Sequence, residues 1–258
     1  MLMAIYALAP MFLLVINSFK TDADVTTNPM GLPTNWTFGN YANVWTTASL
    51  GTAYVNTLII ATATVVLQCV VSGLAAYALS HLRPRGANIL TGYLFLSMSL
   101  PVGFVPLFFI EVKLGLINHY LGVIIPYVGG GFAFNVFLLR AFMLGISRDL
   151  IDAAKVDGCG NLSVFVRIVA PLAQPAFIVV AIFTALGTWN EIFLANAILQ
   201  TDNLRTLSVS YLDFQSRHAT SWSLMAADGV LTVLPMVILF LLMTRRFITG
   251  LQEGALKF

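Results

Sequence analysis

The chain has 258 residues, of which 59% are hydrophobic and 9% charged, and its formal net charge is +2. Soluble domains carry about 25% charged residues, so this composition excludes a soluble globular fold and requires lipid to solvate much of the surface. The small net charge, with no basic patch interleaved with aromatics, excludes a nucleic-acid partner.

A bilayer core of about 30 Å is crossed by about 20 apolar residues in a helix. The sequence predicts six such spans, at 1–19, 52–79, 89–110, 121–143, 172–197 and 224–244. Backbone groups in lipid must bond internally, so these are helices. The fold class is all-α integral membrane, one transmembrane domain over 1–258. No basic flank or charged stretch precedes the first span, which argues against a cleaved signal peptide. Either its neighbours hold the first helix or the true start lies upstream. Segment 21–49, rich in Thr, Asn, Pro and Gly, predicts an irregular loop on the membrane surface. Trp36, Tyr41 and Trp45 serve there as interface anchors, and a connector and a docking surface both fit. Pro101, Gly103 and Pro106 interrupt the third span, and Pro126 with Gly129, Gly130 and Gly131 interrupts the fourth. Broken helices mark transport pathways, but Gly and Pro also let membrane helices pack closely, the preferred reading here.

Orientation follows from the basic residues in the loops. One side carries Arg83, Arg85, Arg140, Arg148, Lys155, Arg167, Arg245, Arg246 and Lys257; the other carries Lys20, Lys113, Arg205 and Arg217. The richer side is cytoplasmic, with both termini. Cys69 and Cys159 are not placed to pair and show no metal spacing. His81, His119 and His218 fall in short loops and form no H-E-x-x-H or triad pattern, so neither a catalytic residue nor a metal site is predicted.

The most informative segment is the cytoplasmic loop 145–171. Ser147 is placed to cap a short helix with Asp149 in its first turn. Leu150, Ile151 and Ala154 share one face at helical spacing, and Gly158 supplies the left-handed stop. Asn161 is placed to cap a second short helix, and Pro171 begins the run into the fifth span. The small residues Ala153, Ala154 and Gly158 would admit the backbone of another protein, as in helix-in-groove recognition.

Asp152-Ala153-Ala154, three residues, Gly158, nine residues, Ile168, one residue, then Ala170-Pro171 resembles the EAA loop of ABC importer permeases, with Asp152 in place of the leading Glu and Ala170 in place of Leu. Asp157 beside Gly158 strengthens the match. The stretches Asn17-Ser18-Phe19-Lys20 with Asn40-Tyr41, Trp189-Asn190-Glu191, and the tail with Gly250 and Gly254 to Lys257 resemble the maltose-type carbohydrate branch. The resemblance implies a type I importer permease, a multi-pass component of a bacterial inner or plasma membrane. It implies that Asp152, Ala153, Ala154, Asp157, Gly158, Ile168 and Pro171 form a coupling helix and its flank, seated in a cleft of a cytoplasmic ATPase.

Nothing matches G-x-x-x-x-G-K-[ST]; Gly129 to Gly131 run into Phe132-Ala133 without a lysine. ATP and Mg²⁺ are therefore expected on a separate ATPase dimer, and this chain is expected to be no enzyme. A single six-helix unit also calls for a second permease half, which the resemblance makes a different chain. The resemblance further implies an extracytoplasmic solute-binding protein and a carbohydrate substrate. Two charges, Glu191 and Asp228, fall inside the spans, where ionisable groups are functional hypotheses. Trp189, Asn190 and Glu191 combine a ring face, an amide and a carboxylate suited to a sugar ring. Pairing of Glu191 with a neighbouring subunit, or its snorkelling to the interface, fits equally; Asp228, near the start of the sixth span, is expected to reach water. A self-sufficient secondary transporter or channel, and a membrane enzyme, are the competing classes, and neither explains the EAA-like loop. Within the same branch, glycerol phosphate or another polar solute is an alternative cargo.

Overall fold

Among the described residues the backbone closes its hydrogen bonds in helices and forms no strand, as a lipid solvent demands. The computed structural model describes residues 2–100 and 103–255, without the side chains of 2, 4, 5, 7 and 242–255. Met1, Pro101, Leu256 and Lys257 thus lie outside the described residues, as do the side chains of Arg245 and Arg246.

In chain order the helices are α1 Leu2–Asn17, α2 Asp22–Thr27, α3 Gly39–Thr47, α4 Leu50–Tyr77, α5 Ala87–Ser99, α6 Phe104–Lys113 and α7 Leu121–Leu144. They continue with α8 Arg148–Val156, α9 Asn161–Val164, α10 Ala170–Leu172, α11 Gln174–Asn190, α12 Phe193–Ile198, α13 Leu207–Arg217 and α14 Trp222–Ala255. A π-helical turn, Ala78–Leu82, extends α4, and another, Phe165–Val169, joins α9 to α10.

Among the described residues three stretches are long and apolar enough to cross a membrane: Leu50–Leu82, Leu121–Leu144 and Trp222–Leu241. Bends fall within one predicted span, the third, and at the start of another, the fifth. The third divides into α5 and α6: Leu100, the residue before Pro101, is extended (φ −95°, ψ 121°), the conformation a following proline enforces. The fifth begins with a bend of 80° between 161–172 and 174–190. By length and composition the described residues give up to five crossings. The fourth span behaves differently from its predicted interruption. α7 runs unbroken through Pro126 and the glycines, and Gly131 serves packing: a Cβ there would lie 3.1 Å from both Gln68 Oε1 and Asn135 Nδ2.

The chain divides into two compact units, residues 1–58 with 191–240, and 59–190 with 241–258. In the first, segment 21–49 is not the irregular loop its composition predicts. Asn40 Nδ2 donates to the carbonyls of Ser18 and Lys20 at 2.9 and 2.8 Å, and Tyr41 OH meets Ser18 Oγ at 2.5 Å. Phe19 packs against the rings of Trp36, Phe38 and Tyr41 at 5.2–5.7 Å, and buried Lys20 donates to Asn28 O at 2.6 Å. These bonds wind the segment onto the end of α1. Trp36 and Trp45 remain exposed, as interface anchors require, whereas Tyr41 is partly buried. Asp22 Oδ1 accepts from the N–H and hydroxyl of Ser223, each at 2.8 Å, and so caps the start of α14. Asn56 Nδ2 donates to Asn203 O and Arg205 O, and Leu207 N donates to Thr57 Oγ1, fixing α13 to the start of α4. Replacing Asn40 with Leu keeps the volume but orphans two carbonyls. It is expected to cost about 2–4 kcal/mol, read as a lowered unfolding temperature in detergent.

The second unit is built on one apolar core. Ala76, Tyr77 and Leu79 meet Val136, Leu139 and Met143 of α7, Ile151 and Ala154 of α8, and Ala176 and Val180 of α11. Gly73 allows α4 and α11 to approach, since a Cβ would stand 2.8 Å from the Phe177 ring. His81 Nε2 bonds the carbonyl of Met143 at 2.9 Å near the end of α7.

Candidate coupling loop and translocation residues

The loop 145–171 builds as local chemistry dictates. Ser147 Oγ accepts from Asp149 N at 3.2 Å, capping α8 with a carboxylate in its first turn. At the other end Cys159 N donates to Ala154 O at 2.9 Å and Gly158 N to Lys155 O at 3.0 Å. This pair of bonds is the Schellman closure, and Gly158 takes its left-handed position at φ +84°. The second short helix starts one residue earlier than predicted: its cap is Gly160, and Asn161 is already helical. Pro171 lies in α10, just before the bend at Ala173 that leads into α11.

Burial divides the predicted coupling residues into two groups. Ile151 and Ala154 face the core at 3% and 7% exposure, and Ile168 packs partly buried against the same core. Ala154 and Ile168 are therefore mounting residues. Leu150 shares the face of Ile151 and Ala154 by spacing but stands at its edge, half exposed. Asp152, Ala153, Asp157, Gly158 and Pro171 are exposed, and Val156, which the sequence reading passed over, is 88% exposed. Its signal was available, because Asp152 and Val156 are four apart and share a helix face. Among the described residues ion pairs involve Arg205 only, with Asp202 and Asp213, so Asp152 is in none.

The predicted substrate residues separate likewise. Trp189 is 6% exposed, so its ring packs against protein. Asn190 is exposed and returns its amide to Leu186 O at 2.9 Å. Glu191 stands in the break between α11 and α12, where its two oxygens accept from Leu194 N at 2.9 Å and Ala195 N at 3.0 Å. Its carboxylate thus satisfies amides that open α12. Asp228 does not reach water: it is 0% exposed, and neither carboxylate oxygen has a hydrogen-bond partner. Glu111 on α6 is also buried, with Oε2 unpartnered; it lies one residue beyond the predicted end of its span. Mid-helix, Gln68 Nε2 donates to Ser72 Oγ at 2.6 Å within α4, and Gln68, Ser72 and Asn135 of α7 are all buried.

Among the described residues the chain is all-helical, with a capped loop helix mounted on the core of its second unit. The structure is similar to the crystal structure of a bacterial ABC transporter involved in the import of the acidic polysaccharide alginate, with a TM-score of 0.84 and 26% identity over 95% of this chain and 92% of that one. The chain belongs to the family of binding-protein-dependent transport system inner membrane components, whose pattern matches residues 68–252. Among its relatives are the probable ABC transporter permease protein YurM of Bacillus subtilis (strain 168), 32% identical over 96% of this chain and 83% of that protein. The arabinooligosaccharides transport system permease protein AraQ of the same organism is 31% identical over 100% and 93%. The diacetylchitobiose uptake system permease protein NgcG of Streptomyces coelicolor is 30% identical over 99% and 86%.

Proposed function

We propose that this chain forms half of the translocation pathway of an ATP-driven carbohydrate importer and couples to its ATPase through α8. The observation that carries the coupling role is the two-sided build of that helix. Its inner face, Ile151 and Ala154, is keyed into the core with α4, α7 and α11, while Asp152, Ala153, Val156 and Asp157 stand outward without cover. Protein interiors are close-packed and transmit displacement, so a push on the outward face moves the core helices as a body and drives alternating access. The carbohydrate cargo is supported by the relatives named for oligosaccharide uptake. The assembly then comprises a second, different permease chain, two cytoplasmic ATPase subunits that hold ATP and Mg²⁺, and an extracytoplasmic binding protein. α8 and both termini lie in the cytoplasm.

Val156→Asp tests the coupling role, because a fully exposed position leaves folding within about 0.5 kcal/mol of wild type. With the ATPase and partner permease coexpressed, the variant should insert normally yet lose ATPase capture and ATP-dependent uptake by about tenfold or more. Unchanged capture and uptake would refute it. The ligand carried by the co-purifying binding protein tests the cargo: a carbohydrate supports the reading, and a different class of solute removes it.

A further inference from the structure

Where α4 ends and α5 begins, a cavity of about 680 Å³ opens among Arg83, Gly86, Ala87, Asn88 and Arg140, with Leu79 and Ile89 at its apolar side. Its lining contains two cations and no acid. Arg140, half-buried, lines the same cavity as Arg83. Among the described residues neither arginine is ion-paired. Arg83 is held in place by its left-handed backbone (φ 44°), by its N–H to Ala78 O at 2.9 Å and by its Nε to Ser80 O at 3.2 Å. The 13-residue helix α5 begins at the same cavity with Gly86 as its cap; Ala87 N donates to Pro84 O at 3.0 Å, and no side chain caps the next amides of its first turn, Asn88 and Ile89. Those amides and the helix dipole favour an anion.

The cavity also sits where a bilayer would present one. It adjoins the end of the span Leu50–Leu82, and α5 buries none of its residues. Ile89 (79% exposed), Leu90 and Tyr93 continue from the cavity as bare apolar surface. Guanidinium forks match phosphate oxygens bidentately, and the volume exceeds that of inorganic phosphate while suiting a larger headgroup. We propose that this cavity binds phosphate anion chemistry supplied by the headgroup of an anionic membrane phospholipid, whose acyl chains lie along α5. The site is independent of the cargo and of the coupling role.

Native mass spectrometry of the full chain in detergent, titrated with phosphatidylglycerol, tests it. Wild type should retain phosphatidylglycerol in preference to phosphatidylcholine, and R83Q/R140Q should weaken that binding by about tenfold or more. R85Q, outside the cavity lining, should leave it unchanged. N88D guards against misfolding, since an acid in the first turn of α5 suits the helix dipole while repelling an anion. It should keep the unfolding temperature and still lose the lipid. Equal binding of phosphatidylglycerol by wild type, R83Q/R140Q and N88D would overturn the site. Displacement of the lipid by millimolar inorganic phosphate, with phosphate binding in its place, would overturn the lipid as the source.

Discussion

Gly158→Val is expected to abolish ATP-dependent uptake while leaving membrane insertion intact. The reason lies in the backbone. Gly158 sits at φ +84° with open space around the position a Cβ would take, so no side-chain collision contributes. A non-glycine residue held there costs about 1–2 kcal/mol, and a β-branched one is a genuine outlier. The chain escapes by unwinding the bonds from Gly158 N to Lys155 O and from Cys159 N to Ala154 O, which displaces Asp157 and loosens the last turn of α8. A graded series separates this cause from crowding by a partner. Asn tolerates the left-handed region, so Gly158→Asn should retain most uptake, Gly158→Ala an intermediate level, and Gly158→Val almost none. If Asn and Ala fail together with Val, the requirement is a close approach by the ATPase rather than the turn itself. Normal uptake and normal ATPase capture by Gly158→Val would remove α8 from the coupling path altogether.

The same helix shows which features were legible in the sequence. Its start and stop depend on Ser147 and Gly158 acting on neighbouring amides, so short-range chemistry was enough to place them. How deeply each residue of that face is buried depends on where α4, α7 and α11 lie, so spacing alone could not show that Leu150 stays half exposed beside buried Ala154. Segment 21–49 failed for a related reason: the bonds that order it join Asn40 to carbonyls 22 and 20 residues away, and composition carries no trace of such separations. Asp228 was assigned to water from its place near a helix start. Yet Gly229 beside it has Leu14 and the Tyr211 hydroxyl 3.5–3.7 Å from a Cβ position, so α1 and α13 close over that turn of α14. The membrane class and the loop helix were thus open to inspection, while burial of individual charges depended on tertiary neighbours. The break at Glu191 lay between these cases. Its apolar run has no proline at the interruption, and the charge itself was the only local sign.

That charge leads to the second large effect. Glu191→Ala should destabilise the chain by about 1–3 kcal/mol, because it removes the acceptor of the Leu194 and Ala195 amides at a part-buried helix start, where water offsets part of the cost of unsatisfied donors. Glu191→Gln retains one acceptor oxygen, so it should recover part of the stability and a matching part of the uptake. The comparison discriminates between two roles for one carboxylate. If Glu191 only terminates α11 and opens α12, the loss of uptake in both variants tracks the loss of folded protein in thermal or proteolytic assays, and the substrate concentration for half-maximal uptake does not move. If it binds cargo, Glu191→Gln folds nearly as well as wild type but shifts that concentration. The doubly engaged carboxylate predicts the first pattern. A well-folded Glu191→Ala protein with an altered concentration dependence would show that the cap is dispensable and that the carboxylate belongs to the pathway.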